Sequence, residues 1–394
     1  MIRLLIGHKF YLFGRGAATT LSLLFALYYS NELGVLNRSY LVMIMTSSVL
    51  IGITLTSGTT LTLRNLGLKE KSKSGTASFH SLIAIEVFVG CILFWLTLLM
   101  FSELKYVLHP NLIFIAIIYY LASITHLVVF ELLITHTAFK FLSISEIVTI
   151  ILQISIFSFL KYFVDISIAS MVLFSFILSY LTVIAVSLFY LKNKFGFLIN
   201  FGNPIIFLRM TKGNHTLGTV LGIVDRFDRL IIAWFLPIAL LGKYAIMSSA
   251  ISFFRFLPEA IAKLIVSTKS DAWHKLLKAK YVLFGFLALA AIAVFALQLI
   301  IESTLGPNWL LPLSISYVFA LQELARGMFQ LMGNYKITIG ESTQIHNAAL
   351  CLLLITGPSA YLLSRLYGLI GVPLGFFISY VAVLLLMRKK SQSV

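Results

Sequence analysis

The residues of this chain that could do chemistry stand where charge is expensive. The stretch GTVLGIVDRFDRLIIAWFLP is apolar enough to enter a bilayer, yet it carries Asp225, Arg226, Asp228 and Arg229 near its middle. A second apolar stretch holds Arg255 and Glu259, with Lys263 nearer one end, and a third holds Glu323 and Arg326. In lipid the eight most central of these would cost roughly 20–28 kcal/mol, at about 2.5–3.5 kcal/mol each. They must face protein or a water-filled cavity.

Their spacing admits two readings. Asp225 and Arg229 are four residues apart, as are Arg255 and Glu259, while Glu323 and Arg326 are three apart. Each couple shares a helix face and can close an ion pair. On the first reading these pairs are neutralised contacts that fix helix packing. On the second they line a central hydrophilic cavity. There Arg226, which has no acidic partner at helical spacing on its own span, suits bidentate binding of phosphate oxygens. Three helices of one half carrying such couples favour the cavity.

Other polar residues are less telling. Arg15 lies in GRGAATT, close enough to the end of its stretch either to reach the interface or to join the cavity. Its small neighbours Gly14, Gly16, Ala17 and Ala18 allow close helix packing or approach of a ligand to the backbone. His126 near mid-span, with Glu131 closer to the cytoplasm, could carry a coupling proton, although a hydrogen-bonded packing role is the plainer reading. Glu86 and Glu146 read as interfacial, Gln153 and Gln322 as interhelical glue, and Pro258 and Pro312 as candidate kinks. Cys91 and Cys351 stand in apolar runs without metal or disulfide spacing, so no metal site and no cofactor is expected.

The elements that position these residues follow from composition. Of the 394 residues 60% are hydrophobic and only 11% charged, too little polar surface for a soluble protein. Twelve apolar stretches are long enough to cross a bilayer as helices, at roughly 10–29, 40–63, 81–102, 111–138, 142–160, 167–191, 216–240, 244–266, 281–302, 309–333, 346–364 and 368–387. The first is a full span, so no cleavable leader is read. The net charge of +16 has a topological origin. With the N-terminus in the cytoplasm, nineteen of the basic residues fall on inner segments. Only Arg38, Lys105, Lys161, Lys243 and Arg365 fall on outer loops, which is the positive-inside pattern. Nucleic acid is not needed to explain the charge. The expected architecture is an all-α polytopic membrane protein of about twelve transmembrane helices in two six-helix halves, both termini cytoplasmic. Its parts are residues 1–191, a cytoplasmic linker 192–215, a second half 216–387 and a basic tail 388–394. No nucleotide-binding loop and no large extramembrane domain is present in the sequence.

Three stretches, in order, resemble the polysaccharide lipid-carrier flippases, which move O-antigen or capsule repeat units. These belong to the multidrug/oligosaccharidyl-lipid/polysaccharide exporter superfamily. The stretches are the GRG segment after a basic N-terminus, DRLIIAWFLPIALLGKYAIMSSAI from Asp228, and LYGLIGVPLGFFISY from Leu366. The second resembles the family in its Asp228-Arg229 pair and in Gly242 and Tyr244, a Gly-x-Tyr entering span eight. LGVLNRSYLVM and IALLGKYAIM occupy equivalent places after spans one and seven, as two parallel six-helix repeats would.

The resemblance implies a flippase that is not an enzyme and that carries a polyprenyl-pyrophosphate-linked oligosaccharide across a bacterial inner membrane by alternating access. It implies that Arg15, Arg226, Arg229 and Arg255 hold the pyrophosphate. Asp225, Asp228 and Glu259 would compensate the empty cavity, with Glu323, Arg326 and His126 as further compensating or coupling groups. A polysaccharide polymerase and chain-length proteins would be its protein partners. A small-molecule or drug antiporter on the same scaffold is the nearest alternative. A membrane polymerase or acyltransferase would need an accessible catalytic base and a sizeable outer loop, and neither is found in the sequence. The fourteen-span flippases of the peptidoglycan precursor are expected to match less well than twelve-span relatives.

Overall fold

The computed structural model describes residues 9–66, 73–100, 110–197, 199, 201–251, 280–338 and 342–389. Arg255, Pro258, Glu259 and Lys263, together with the last part of the basic tail, lie outside the described residues. Among the described residues every regular element is helical. The mean hydropathy of +0.99 explains why: in hydrocarbon a backbone must satisfy its own hydrogen bonds, and a helix does so within one segment.

The first element, α1 (Lys9–Leu66), would be about 87 Å long if straight, nearly three bilayer cores. It is two spans folded at one residue, Gly34, with φ 71° and ψ 168°, a conformation open to glycine and strained for other residues. Spans one and two were expected to flank a loop at 30–39; a single glycine suffices. Next come α2 (Lys73–Met100), which starts eight residues before the expected span, and α3 (Pro110–Thr135), α4 (Phe139–Phe163) and α5 (Ile168–Phe195), each within a few residues of theirs. Ser167 caps α5 by accepting from the Ser170 amide at 3.3 Å, and Gly196, at φ 64°, ends it.

The stretch 192–215 is mostly helical. Residues 192–195 close α5, and α6 (Pro204–Phe235) begins at a proline, which suits the first helical turn because it has no amide hydrogen to leave unpaired. After α7 (Ala239–Ile251) come α8 (Lys280–Leu305), α9 (Leu313–Thr338), α10 (Ser342–Tyr367) and α11 (Gly371–Lys389), with short 3-10 turns before α9 and α11. Pro312 immediately precedes α9 and is not a kink, whereas Pro358 lies inside α10. Among the described residues six helical segments are long and apolar enough to cross a membrane, two of them, at Phe10–Leu63 and Thr343–Met387, spanning two helical stretches each.

The chain divides into two compact units, one of Met1–Ser39 with Phe227–Val394 and one of Tyr40–Arg226. Their limits fall inside α1 and α6. In the Tyr40–Arg226 unit α3 packs on α2 and α5, and α4 on α5. In the other, α9 packs on α7, α8, α10 and α11, and α10 lies along α11. Large apolar side chains such as Phe88, Phe114, Phe163 and Leu354 point outward, while hydroxyls such as Ser175, Ser179 and Ser187 are buried. That polarity suits a lipid solvent.

Candidate functional site

The charged stretch of α6 is organised by the helix that follows it. Two residues of α7 one turn apart, Tyr244 and Ser248, face α6 together. The Tyr244 hydroxyl donates to Asp228 Oδ2 at 2.8 Å, and Arg229 Nη2 donates to Ser248 Oγ at 2.9 Å. Asp228 Oδ1 also accepts from the Arg229 backbone amide at 2.8 Å. Asp228 is thus a buried carboxylate with two donors, the condition under which such a group is tolerated. The Tyr244 ring, itself fully buried, stacks on Phe319 of α9 with centroids 4.7 Å apart.

Gly242, in the same Gly-x-Tyr, serves backbone approach. A Cβ there would lie 2.6 Å from the Val35 carbonyl oxygen, and the Gly242 amide donates to Ser39 Oγ at 2.9 Å. The two stretches read as equivalent in sequence therefore touch through Val35, Ser39 and Gly242.

The expected pairing within α6 is redistributed. The Arg229 guanidinium rests on the neutral hydroxyl of Ser248, and its Nε has no hydrogen-bond partner among the described residues. In the Tyr40–Arg226 unit, Asp225 instead lies 3.8 Å from Arg226, the arginine expected to lack an acid, and both side chains are about one-fifth exposed. The reason is tertiary: α7 supplies hydrogen bonds that compete with the intrahelical pair.

The expected couple Glu323–Arg326 is present, with Arg326 Nη1 donating to Glu323 Oε1 at 3.0 Å. Both residues are buried, in electrostatic reach of Tyr244 and of Tyr380 on α11, respectively. Beside them Gln322 is completely buried, and neither of its amide atoms has a hydrogen-bond partner among the described residues, so it is not the interhelical bridge expected. Asp228, Arg229, Tyr244, Ser248, Glu323 and Arg326 form one polar cluster within an apolar unit.

Arg15 is half-buried in the first turns of α1, where Thr19 bonds back to its carbonyl. His126 lies on α3, stacked on Tyr180 at 4.4 Å and tilted against Phe130 at 4.1 Å; its Nε2 has no hydrogen-bond partner among the described residues, so its packing is aromatic. Glu86 and Glu146 are buried within the protein. Sequence reasoning also missed Arg38. Counted as an outer-loop cation, it is buried in α1 just past Gly34, with its guanidinium 4.4 Å from the centre of the Tyr29 ring and Nη1 on the Tyr29 hydroxyl. Its closeness to the turn was legible; its burial was not.

No protein-family model matches the chain, and no curated protein matches it either. Solved structures do. A mutant of VcmN, a MATE transporter of Vibrio cholerae, aligns over 100% of this chain and 97% of its own, with TM-score 0.68 and 16% identity. The lipid II flippase MurJ, in an inward closed conformation, aligns over 100% of this chain and 88% of its own, with TM-score 0.65 and 18% identity. An outward-facing multidrug resistance MATE family transporter of the MOP superfamily gives TM-score 0.63 at 14% identity, over 98% of this chain and 93% of its own. At these identities the likeness is one of fold. It does not separate the antiporter scaffold from that of the peptidoglycan-precursor flippase, which was expected to fit less well.

Proposed function

We propose that this protein is a flippase for an oligosaccharide carried on a polyprenyl pyrophosphate, working by alternating access as a twelve-helix bundle in a bacterial inner membrane. One observation carries the reading. Two guanidiniums of the Met1–Ser39/Phe227–Val394 unit, Arg229 and Arg38, are held by hydroxyl and ring groups and form no ion pair among the described residues. A guanidinium anchored by hydroxyl and ring groups keeps donors for an anionic substrate, and its fork fits pyrophosphate oxygens. The fold shared with MATE transporters and with MurJ supports transport in general, and the arginines favour a lipid phosphate over a cationic drug.

In this reading Arg15, Arg226, Arg229 and Arg255 bind the pyrophosphate in one state of the cycle better than in the other, since only differential affinity moves a conformational equilibrium. Asp225, Asp228 and Glu259 offset the charge when no substrate is bound, Glu323 and Arg326 neutralise each other, and Asp228 also sets the position of Arg229 through Tyr244. The protein performs no covalent chemistry. A polysaccharide polymerase and chain-length proteins would receive its product.

The test is to delete the gene and extract the polyprenyl-linked glycans. Complete repeat units accumulating at the cytoplasmic face, with surface polysaccharide lost, is the expected result. Normal surface glycan and no accumulated intermediate, in a strain without a second flippase, would overturn the reading in favour of an antiporter.

A further inference from the structure

Between Ile166 and Val224 the sequence has no acidic residue, and its lysines and arginines, Lys192, Lys194, Arg209 and Lys212, all fall in the stretch KNKFGFLINFGNPIIFLRMTK. Phenylalanine, isoleucine and leucine are interleaved with these bases. The stretch leads from the end of α5 into α6, and at residues 196, 197, 199 and 201–203 its backbone is not helical.

One side of this strap is fastened to the Tyr40–Arg226 unit. The Phe197 ring meets His80 of α2 edge to face at 5.1 Å and His136, just past α3, at 6.3 Å. The Gly202 amide donates to Ser81 Oγ at 2.8 Å, and the buried ring of Phe207 meets that of Phe79 at 5.5 Å. The other side faces outward. Phe201 is 71% exposed, and Ile199, Ile205 and Leu208 are about half exposed. Lys192 and Lys194, in the last turn of α5, are exposed too. The Lys194 ammonium donates to the Tyr190 hydroxyl at 2.9 Å, which steadies it and leaves two further N–H donors.

Neither hydrocarbon nor bulk water suits such a segment. Lipid-exposed irregular backbone does not occur in hydrocarbon, because its amides and carbonyls would lack partners. A cluster of exposed large apolar side chains is equally out of place in water. The head-group layer meets both demands, since side chains reach the acyl boundary while backbone and lysines stay hydrated. That layer is within reach: α5 is long and apolar enough to cross a membrane, and the strap begins at its end. Bases without acids add a preference for anionic lipid.

We propose that this strap is a membrane-surface anchor that binds anionic phospholipid head groups. Ile199, Phe201, Ile205 and Leu208 enter the acyl boundary, and Lys192 and Lys194 contact the phosphates. The anchor needs only a membrane-spanning chain, whatever that chain transports.

The full chain, with Cys91 and Cys351 replaced by serine and a nitroxide at Phe201→Cys or Ile205→Cys, tests this in lipid nanodiscs. Collision with a neutral nickel chelate, which stays in water, reads exposure of the label. In phosphatidylcholine with about one-third phosphatidylglycerol, both labels should collide roughly two- to fivefold less often than in phosphatidylcholine alone. The difference should vanish in the Lys192→Gln/Lys194→Gln variant and in high salt, which screens the phosphates. Equal collision rates in the two lipids would overturn the proposal. So would a phosphatidylglycerol effect that survives both glutamine substitutions. The labels report position and not transport, so either failure would leave the flippase reading standing.

Discussion

Arg229 shows how one side chain can be both anchored and available. Ser248 fixes one nitrogen of its guanidinium without an ion pair among the described residues. A hydrogen bond from a charged group contributes about 1.5–3 kcal/mol, so Arg229→Ala should weaken transport roughly ten- to a hundredfold at unchanged protein level. Arg229→Lys should fall between, because the ammonium keeps the charge and loses the fork. Flipping rates of the two variants in proteoliposomes check both, and wild-type rates in Arg229→Ala would remove this residue from the site. Tyr244→Phe acts differently. It removes one of the two donors to buried Asp228 and should cost about 1–3 kcal/mol, read as a lowered unfolding temperature of the purified protein in detergent. What the sequence could say at this scale depended on separation along the chain. Glu323 and Arg326 pair as their spacing of three requires. Asp228 and Arg229 take partners 16 and 19 residues away on another helix, beyond any intrahelical rule. The burial of Glu86 depends on which way α2 faces, and a helix rich in apolar residues all round does not disclose that.

Between helices, glycine sets the distance of approach. Ser359 on α10 bonds to Ser379 Oγ on α11 at 2.9 Å, and a Cβ on Gly375 would lie 2.5 Å from the Ala360 Cα. A Cβ on Gly371 would collide with the Leu363 carbonyl. The Gly-rich final stretch that carried the family resemblance is therefore a packing device for the last two helices. Gly375→Ala and Gly242→Ala should each destabilise by about 1–3 kcal/mol, since the atoms they meet are backbone and cannot move aside. Gly333→Ala is the control. Nothing lies within 4 Å of its Cβ position and the residue is helical, so a gain of about 0.5–1 kcal/mol is expected. Thermal unfolding monitored by size-exclusion chromatography distinguishes the three, and equal effects would refute the close-approach argument. Most of the helices were legible in the sequence, because hydropathy alone defines a span. The turn at Gly34 and the early start of α6 at Pro204 were not. Both are local backbone choices made outside the apolar windows that define the spans.

The whole molecule must also have an orientation, and the basic residues specify one. Lys140 and Lys192 stand at the start of α4 and the end of α5, while Lys161 stands at the other end of α4. Helices this long and apolar cross the bilayer once each, so α4 and α5 put Lys140 and Lys192 on one side and Lys161 on the other. The positive-inside count expects Lys243, at the start of α7, and Arg365, in the last turn of α10, on the side of Lys161. The positive-inside rule predicts that the first side is cytoplasmic. Single cysteines introduced at these five positions, after Cys91 and Cys351 are replaced, turn this into a measurement. Lys161→Cys, Lys243→Cys and Arg365→Cys should react in intact cells with a membrane-impermeant maleimide. Lys140→Cys and Lys192→Cys should react only once the membrane is opened. The reverse pattern would place both termini outside and expose Arg15, close to the N-terminal end of α1, to the outer leaflet. A substrate assembled in the cytoplasm would then meet that arginine last, and its assignment to the loading state would fail even if the fold and the cluster around Arg229 stood.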